Sequence, residues 1–408
     1  MTRKNPLSFM LPLFLVLFID GMGLGLLFPI LNAIIIEPNA GFIELSVNLN
    51  QREVLYGFIV GIFMLCWFFG AAYLGDLSDS IGRRKALLIC LIGAFIGYFL
   101  SAIAIVKSSI GLLIVGRMIA GFTAGSQPIA QAAIVDVSSE EHKARNIGFI
   151  LLAVSLGFVF GPIFGGVLSD TRIWHGFGFQ TPLYFASCLS LFNAILLWAF
   201  FKETFQKTKK VNLKWHHALY VFISAFRHPG IKKLSFVLLI MIFGWSNYFS
   251  FISLYMLQHY HHSILENSLF MACLGLGFSV GCGYIVEYCT HRYQSKNIVC
   301  VMLMATALEV LIILIFDVPI VPWIMTFFIG TTLATAYSVL LTMFSNQVNE
   351  NEQGWVMGVT GSIMALCFGL TSFSTGLLAH VGAWLPLAMA VVGLSFSGLL
   401  LQFIFKSE

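Results

Sequence analysis

The chain has 408 residues, of which 59% are hydrophobic and 10% charged, with a mean hydropathy of +0.91 and a formal net charge of +4. So apolar a composition excludes an ordinary soluble domain, and the small positive balance gives no reason to expect nucleic acid. The eight cysteines are scattered, mostly within apolar segments and without paired ligand spacing, so neither a disulfide framework nor a metal centre is expected.

About 20 residues of helix cross the hydrocarbon of a bilayer. Runs of that length are predicted near 9–35, 54–75, 86–106, 109–135, 146–168, 182–201, 235–258, 265–288, 297–316, 321–345, 354–379 and 383–404, which makes an all-α membrane protein with twelve spans. Arg3 and Lys4 precede the first span, which runs on through Asp20, Pro29 and Asn32 without a small-residue cleavage site, so it reads as retained. After the second span, Gly75 and Gly82 bracket a tight turn that lets two helices approach. Asp79 with Arg83 or Arg84 is spaced to form a charge network there, either a conformational latch or an ordinary surface ion pair.

The fourth span carries Arg117, Gln127 and Gln131, and Asp136 with Arg145 follows it as a second charged pair. In the fifth span Gly157, Gly161 and Gly165 recur every four residues, the small-residue stripe that permits close helix packing. Pro162 removes a backbone hydrogen bond beside them and Gly166 follows. A basic hydrophilic stretch, 202–233, divides a half at 1–201 from one at 234–408; with Trp215 it suits either the anionic membrane surface or a plain linker. Asn247 lies in the seventh span, Glu309 in the ninth and Tyr337 in the tenth. His259, Tyr260, His261 and His262 form a candidate metal-binding or pH-sensitive patch, although adjacent loop side chains do not make a closed metal site.

Asp20, Arg117 and Glu309 are the charges inside apolar runs, and an intramembrane charge marks a functional site by default. At 1.5 Å per residue, Asp20 lies about 11 residues from one end of its span and Arg117 about eight from the opposite end, so both fall near the midplane and could pair. Asn32, Gln127, Gln131, Asn247 and Tyr337 add polar cavity candidates, each with an interhelical hydrogen bond as its plainer role. Forty phenylalanines could line an adaptable apolar cavity, though most must face lipid or other helices.

With the N-terminus inside, eighteen lysines and arginines fall on inside segments and three, Arg52, Lys107 and Arg172, outside, which predicts both termini in the cytoplasm. Gly283, Glu287, His291 and Arg292 repeat Gly75, Asp79, Arg83 and Arg84 at an offset of 208, a weak sign of two six-helix halves related in parallel.

The segment Gly75-Asp76-Leu77-Ser78-Asp79-Ser80-Ile81-Gly82-Arg83-Arg84-Lys85 resembles the loop signature of the major facilitator superfamily. Gly157 with Gly161-Pro162-Ile163-Phe164-Gly165-Gly166 resembles the signature of its proton-coupled antiporters, and Arg117 with Gly121 matches a third pattern. Asp20-Gly21-Met22-Gly23-Leu24-Gly25-Leu26-Leu27-Phe28-Pro29 is similar to the first helix of tetracycline exporters and related drug:proton antiporters. Gln347, Glu352, Gln353, Gly354 and Gly358 continue the likeness more loosely.

The resemblance implies a major facilitator fold, alternating access, and no enzymatic activity. It gives Asp79 and Arg83 to an interdomain latch, Arg117 to coupling, and 157–166 to a bend and close helix contact. Span nine, with Glu309, would lie away from the central cavity. The expected protein is a monomeric bacterial inner-membrane transporter that meets a small molecule, protons and lipids and needs no cofactor. Export of an amphipathic compound is the leading reading; a proton-coupled importer of a nutrient or metal chelate and a non-transporting receptor are the alternatives. A Gly-rich Lys-Ser/Thr phosphate loop is missing from the sequence, which argues against an intrinsic ATP motor.

Overall fold

The computed structural model describes residues 6–37, 40–136, 140–203, 217–348, 352–378, 382 and 384–404. Among them, twelve helices are long and apolar enough to span a membrane. In order they are α1 (Met10–Ile36), α2 (Leu49–Ile81), α3 (Arg83–Val106), α4 (Ile110–Ile134), α5 (Leu152–Ser169), α6 (Thr181–Phe200), α7 (Lys232–Tyr260), α8 (Ile264–Thr290), α9 (Ser295–Ile315), α10 (Ile320–Ser345), α11 (Trp355–Ser374) and α12 (Trp384–Phe403). Each predicted span coincides with one of them. A short helix, His217–Arg227, lies inside the expected 202–233 linker, of which 204–216 are outside the described residues.

Two boundaries differ from the sequence reading in ways that matter for the site. Residues 75–81 are not a turn: α2 stays helical through Ile81, and the chain reverses at Gly82 alone, at φ 100°. That is the left-handed region where only glycine is free of Cβ strain. The fourth span is also two segments, Ile110–Thr123 and Ser126–Asp136, joined by a turn at Ala124 and Gly125.

The chain divides into two compact units. The first holds Met1–Ile30 and Ile62–Ala218. Its α3 packs on α4 and α6, and Leu13, Leu17, Leu87, Leu91, Ile129 and Leu197 form a core from α1, α3, α4 and α6. Because hydrocarbon offers helices no hydrophobic drive to associate, close backbone approach must carry much of the packing. The glycine stripe of α5 supplies it along α1: a Cβ at Gly157 would stand 2.7 Å from the Met22 nitrogen, and one at Gly165 2.8 Å from the Leu26 carbonyl.

The second unit holds Leu31–Gly61 and Leu219–Glu408, with α7 packed on α11 and α12, and α10 on α8 and α9. The ends of α1 and α2 that belong to it are held by polar bonds to α7. Asn32 Nδ2 donates to Ser253 Oγ at 2.8 Å, the Tyr56 hydroxyl to the Ser250 carbonyl at 2.8 Å, and Gln258 Nε2 to Glu53 Oε1 at 2.9 Å. Arg52, 2% exposed, braces the connection between α1 and α2 by donating to the carbonyls of Ile35, Ile43, Glu44 and Val47.

Candidate functional site

Asp20 sits midway along α1 and keeps part of its surface open. Its Oδ2 accepts a hydrogen bond from Ser126 Oγ at 2.7 Å. Ser126, 3% exposed, begins the second segment of α4, so the break in that helix sets the carboxylate beside a helix start, where the positive end of the dipole lies. The backbone on both sides of Asp20 is fixed by α5. A Cβ at Gly21 would meet the Val154 carbonyl at 2.7 Å, and one at Gly25 would meet the ring of Pro162 at 2.6 Å. Gly161 packs on the backbone of Met22 in the same way. The Asp-Gly motif of α1 and the Gly-Pro motif of α5 are therefore the two sides of one helix contact.

Arg117 is 4% exposed on the buried face of the first α4 segment. Its guanidinium lies over the Phe63 ring, 4.0 Å from the centroid, and its Nε has no hydrogen-bond partner. Gly121, one turn on, presses against the backbone of Phe63, so the arginine and the glycine four residues later meet the same residue of α2. Asp20 and Arg117 do not form an ion pair: among the described residues the carboxylate is bonded to Ser126 and the guanidinium to an aromatic face. Tyr98 of α3 packs on the same stretch of α1, its hydroxyl occupying the space that a side chain at Gly23 would need.

Across the α2–α3 junction, Asp79 and Arg83, four residues apart, form an ion pair at 2.8 Å, and Arg83 also donates to Ser78 Oγ. Glu203, just after α6, caps α3: its Oε1 accepts from the Arg83 backbone N–H at 2.9 Å and its Oε2 from that of Arg84 at 3.2 Å. Arg84 in turn donates through its side chain to the Trp198 carbonyl. Gly82 leaves room for the Glu203 carboxylate as well as taking the left-handed turn, whereas Gly75 faces open space. The side chains of Asp136 and Arg145 lie outside those described.

The remaining candidates separate. Gln127 and Gln131 lie on the same segment as Ser126 and are partly exposed. Asn32 and Asn247 are buried in helix contacts, Asn247 Nδ2 bonding to the Phe243 carbonyl at 2.7 Å. Tyr337 is partly buried, with its hydroxyl 3.9 Å from the Met364 sulfur. Glu309 accepts from Thr332 Oγ1 at 2.9 Å, in a group with Thr306 that joins α9 to α10. In the repeat of the α2–α3 junction, Gly283 falls in a π-helical turn, Gly281–Ile285, and Arg292 stacks on the Tyr288 ring at 4.3 Å.

Ser126, Phe63, Tyr98 and Glu203 escaped the sequence reading. Ser126 had a local signal, since Gly125-Ser126-Gln127-Pro128 has the composition of a helix start. The other three are brought to their partners only by the fold.

The profile of the Major Facilitator Superfamily matches residues 13–372. The chain is 30% identical over 190 residues to the class H tetracycline resistance protein of Pasteurella multocida, an alignment covering 47% of this chain and 43% of that protein. It therefore spans less than half the length of that relative. With the class C tetracycline resistance protein of Escherichia coli it shares 26% identity over 385 residues, covering 90% of this chain and 92% of the relative. The crystal structure of the human organic anion transporter MFSD10 superposes with a TM-score of 0.74 at 20% identity, over 98% of this chain and 100% of that one, a likeness of fold. With twelve spans and a profile match across most of its length, the chain is a multi-pass membrane protein that belongs to the Major Facilitator Superfamily.

Proposed function

We propose that the protein is a proton-coupled secondary transporter that exports a small amphipathic organic compound by alternating access. The observation that carries this reading is the Asp20 carboxylate: membrane-embedded, partly open, and held by one hydroxyl rather than neutralised by Arg117. A carboxylate so placed can take up and release a proton, and the change in charge alters which partners it prefers. Ser126 links that change to α4, and the close contacts of α1 with α5 and with Tyr98 of α3 transmit it along α1.

In this mechanism the halves 1–201 and 234–408 rock about the midplane, joined by 202–233. The Asp79–Arg83 pair and the Glu203 cap stabilise one arrangement at the α2–α3 junction. The bonds that join Asn32, Tyr56 and Glu53 to α7 hold the ends of α1 and α2 within the second unit. Gln127, Gln131 and Tyr337 are the polar groups with surface left for cargo. Arg117 acts as the charged neighbour of the coupling site. Both termini lie in the cytoplasm, as the placement of lysine and arginine favours, and a monomer surrounded by lipid is the working unit.

The relatives named for tetracycline resistance make tetracyclines the first cargo to try. In proteoliposomes with an imposed proton gradient, cargo is expected to move against the direction of proton flow. Movement of cargo together with protons would make the protein an importer instead.

A further inference from the structure

The second unit contains a cavity of about 340 Å³ lined by Tyr255, Gln258 and His259 at the end of α7, Leu314 at the end of α9, Asp317 beyond it and Trp384 at the start of α12. Its size is within the range of about 300–1,000 Å³ typical of small-molecule sites. None of these residues belongs to the contact of α1, α4 and α5 around Asp20.

Among the described residues the cavity lining has no lysine or arginine, and its carboxylate, Asp317, is 76% exposed. Asp317 Oδ1 is held 2.8 Å from His259 Nε2, and that bond keeps its carboxyl below the usual carboxylate range. His259 stacks on Tyr255, with ring centroids 5.0 Å apart. Trp384, 52% exposed, brings the aromatic surface that best attracts a cation. Gln258 uses its Nε2 to reach Glu53, which leaves its amide oxygen, an acceptor, as the group it can offer a ligand. Behind it, Glu53 is 2% exposed; its Oε1 accepts that bond and its Oε2 has no partner, so a second carboxyl group stands behind the wall.

We propose that this cavity binds an organic monocation of the quaternary ammonium class, with Asp317 supplying the counter-charge and Trp384 the exposed aromatic face, while Tyr255, 6% exposed, backs His259. A permanent cation with methyl groups satisfies both demands at once, because it is attracted to the carboxylate and loses little hydration against the ring. An anion would meet the Asp317 carboxylate, and a neutral molecule would gain contact alone.

The test is a saturation-transfer NMR titration of the full-length protein in detergent. Choline is the probe, and its uncharged isostere 3,3-dimethylbutan-1-ol is the control. Choline is expected to bind saturably and the isostere at least about tenfold more weakly, the size of one well-placed charge contact. Asp317→Asn is expected to weaken choline about tenfold and Trp384→Ala several-fold, while Asp20→Asn leaves its affinity unchanged. Equal binding of choline and the isostere would overturn the proposal. So would unchanged choline affinity in either cavity variant, or loss of binding in Asp20→Asn.

Discussion

Single side chains in this protein are held by neighbours the sequence does not place beside them. Arg117 shows this best: charge and depth favour a partner carboxylate, yet its guanidinium lies on Phe63 and the nearby acid is bonded to a serine. Charge patterning identifies which groups are costly to bury, but their partners depend on helix rotation, which hydropathy does not report. His262 offers a test at this scale. Burial between Phe270 and Trp323 lowers its pKa, opposed in part by Glu266. The folded state therefore binds less proton there than the unfolded chain does. The stability this provides is fully present above the unfolded imidazole value of about 6.5 and is lost as pH falls through it toward the folded one. Melting temperature is expected to fall from about pH 7.5 to about pH 5.5, and His262→Gln to flatten that slope. Asp317 titrates in a separate window: its lowered pKa gives stability lost only in more acidic solution.

Helices were the most legible scale. Twelve long apolar runs and their order follow from composition, because a bilayer leaves the backbone few alternatives to helix. Helix ends were less legible. Residues 75–81 carry Gly75, Asp76, Ser78, Asp79 and Ser80, which reads as a turn, but the helix continues and the reversal is left to Gly82. The cap from Glu203 lies 120 positions away, beyond any local pattern. Glu203→Ala should cost about 1 kcal/mol, as loss of a helix cap does, and raise amide exchange at Arg83 and Arg84. The glycine stripe, in contrast, could be read as packing from its spacing, though not its partner, α1. Gly157→Val drives a side chain into the Met22 backbone. It should destabilise by about 1–3 kcal/mol, the range for overpacking, and lower the unfolding temperature in detergent. Gly358→Ala, where a Cβ meets nothing, is the matched control and should leave that temperature unchanged or raise it.

For the molecule as a whole, family membership gives the scaffold, and the Asp20 site gives the reason to read it as proton-coupled. The motifs of α1 and α5 that suggest an antiporter are joined physically in one close helix contact. The bonds of Asn32, Tyr56 and Glu53 to α7 could not be read from sequence, since each links positions about 190 to 220 apart in the chain. The most direct measurement is proton movement in proteoliposomes carrying an internal pH dye, with tetracycline supplied as cargo, comparing the natural protein with Asp20→Asn. The amide retains the size of the carboxylate and can still accept from Ser126 while losing the titrating proton. Cargo is expected to drive proton movement in the natural protein, and in the variant that movement should fall to the level of empty liposomes. Equal cargo-driven proton movement in the two would contradict coupling at Asp20.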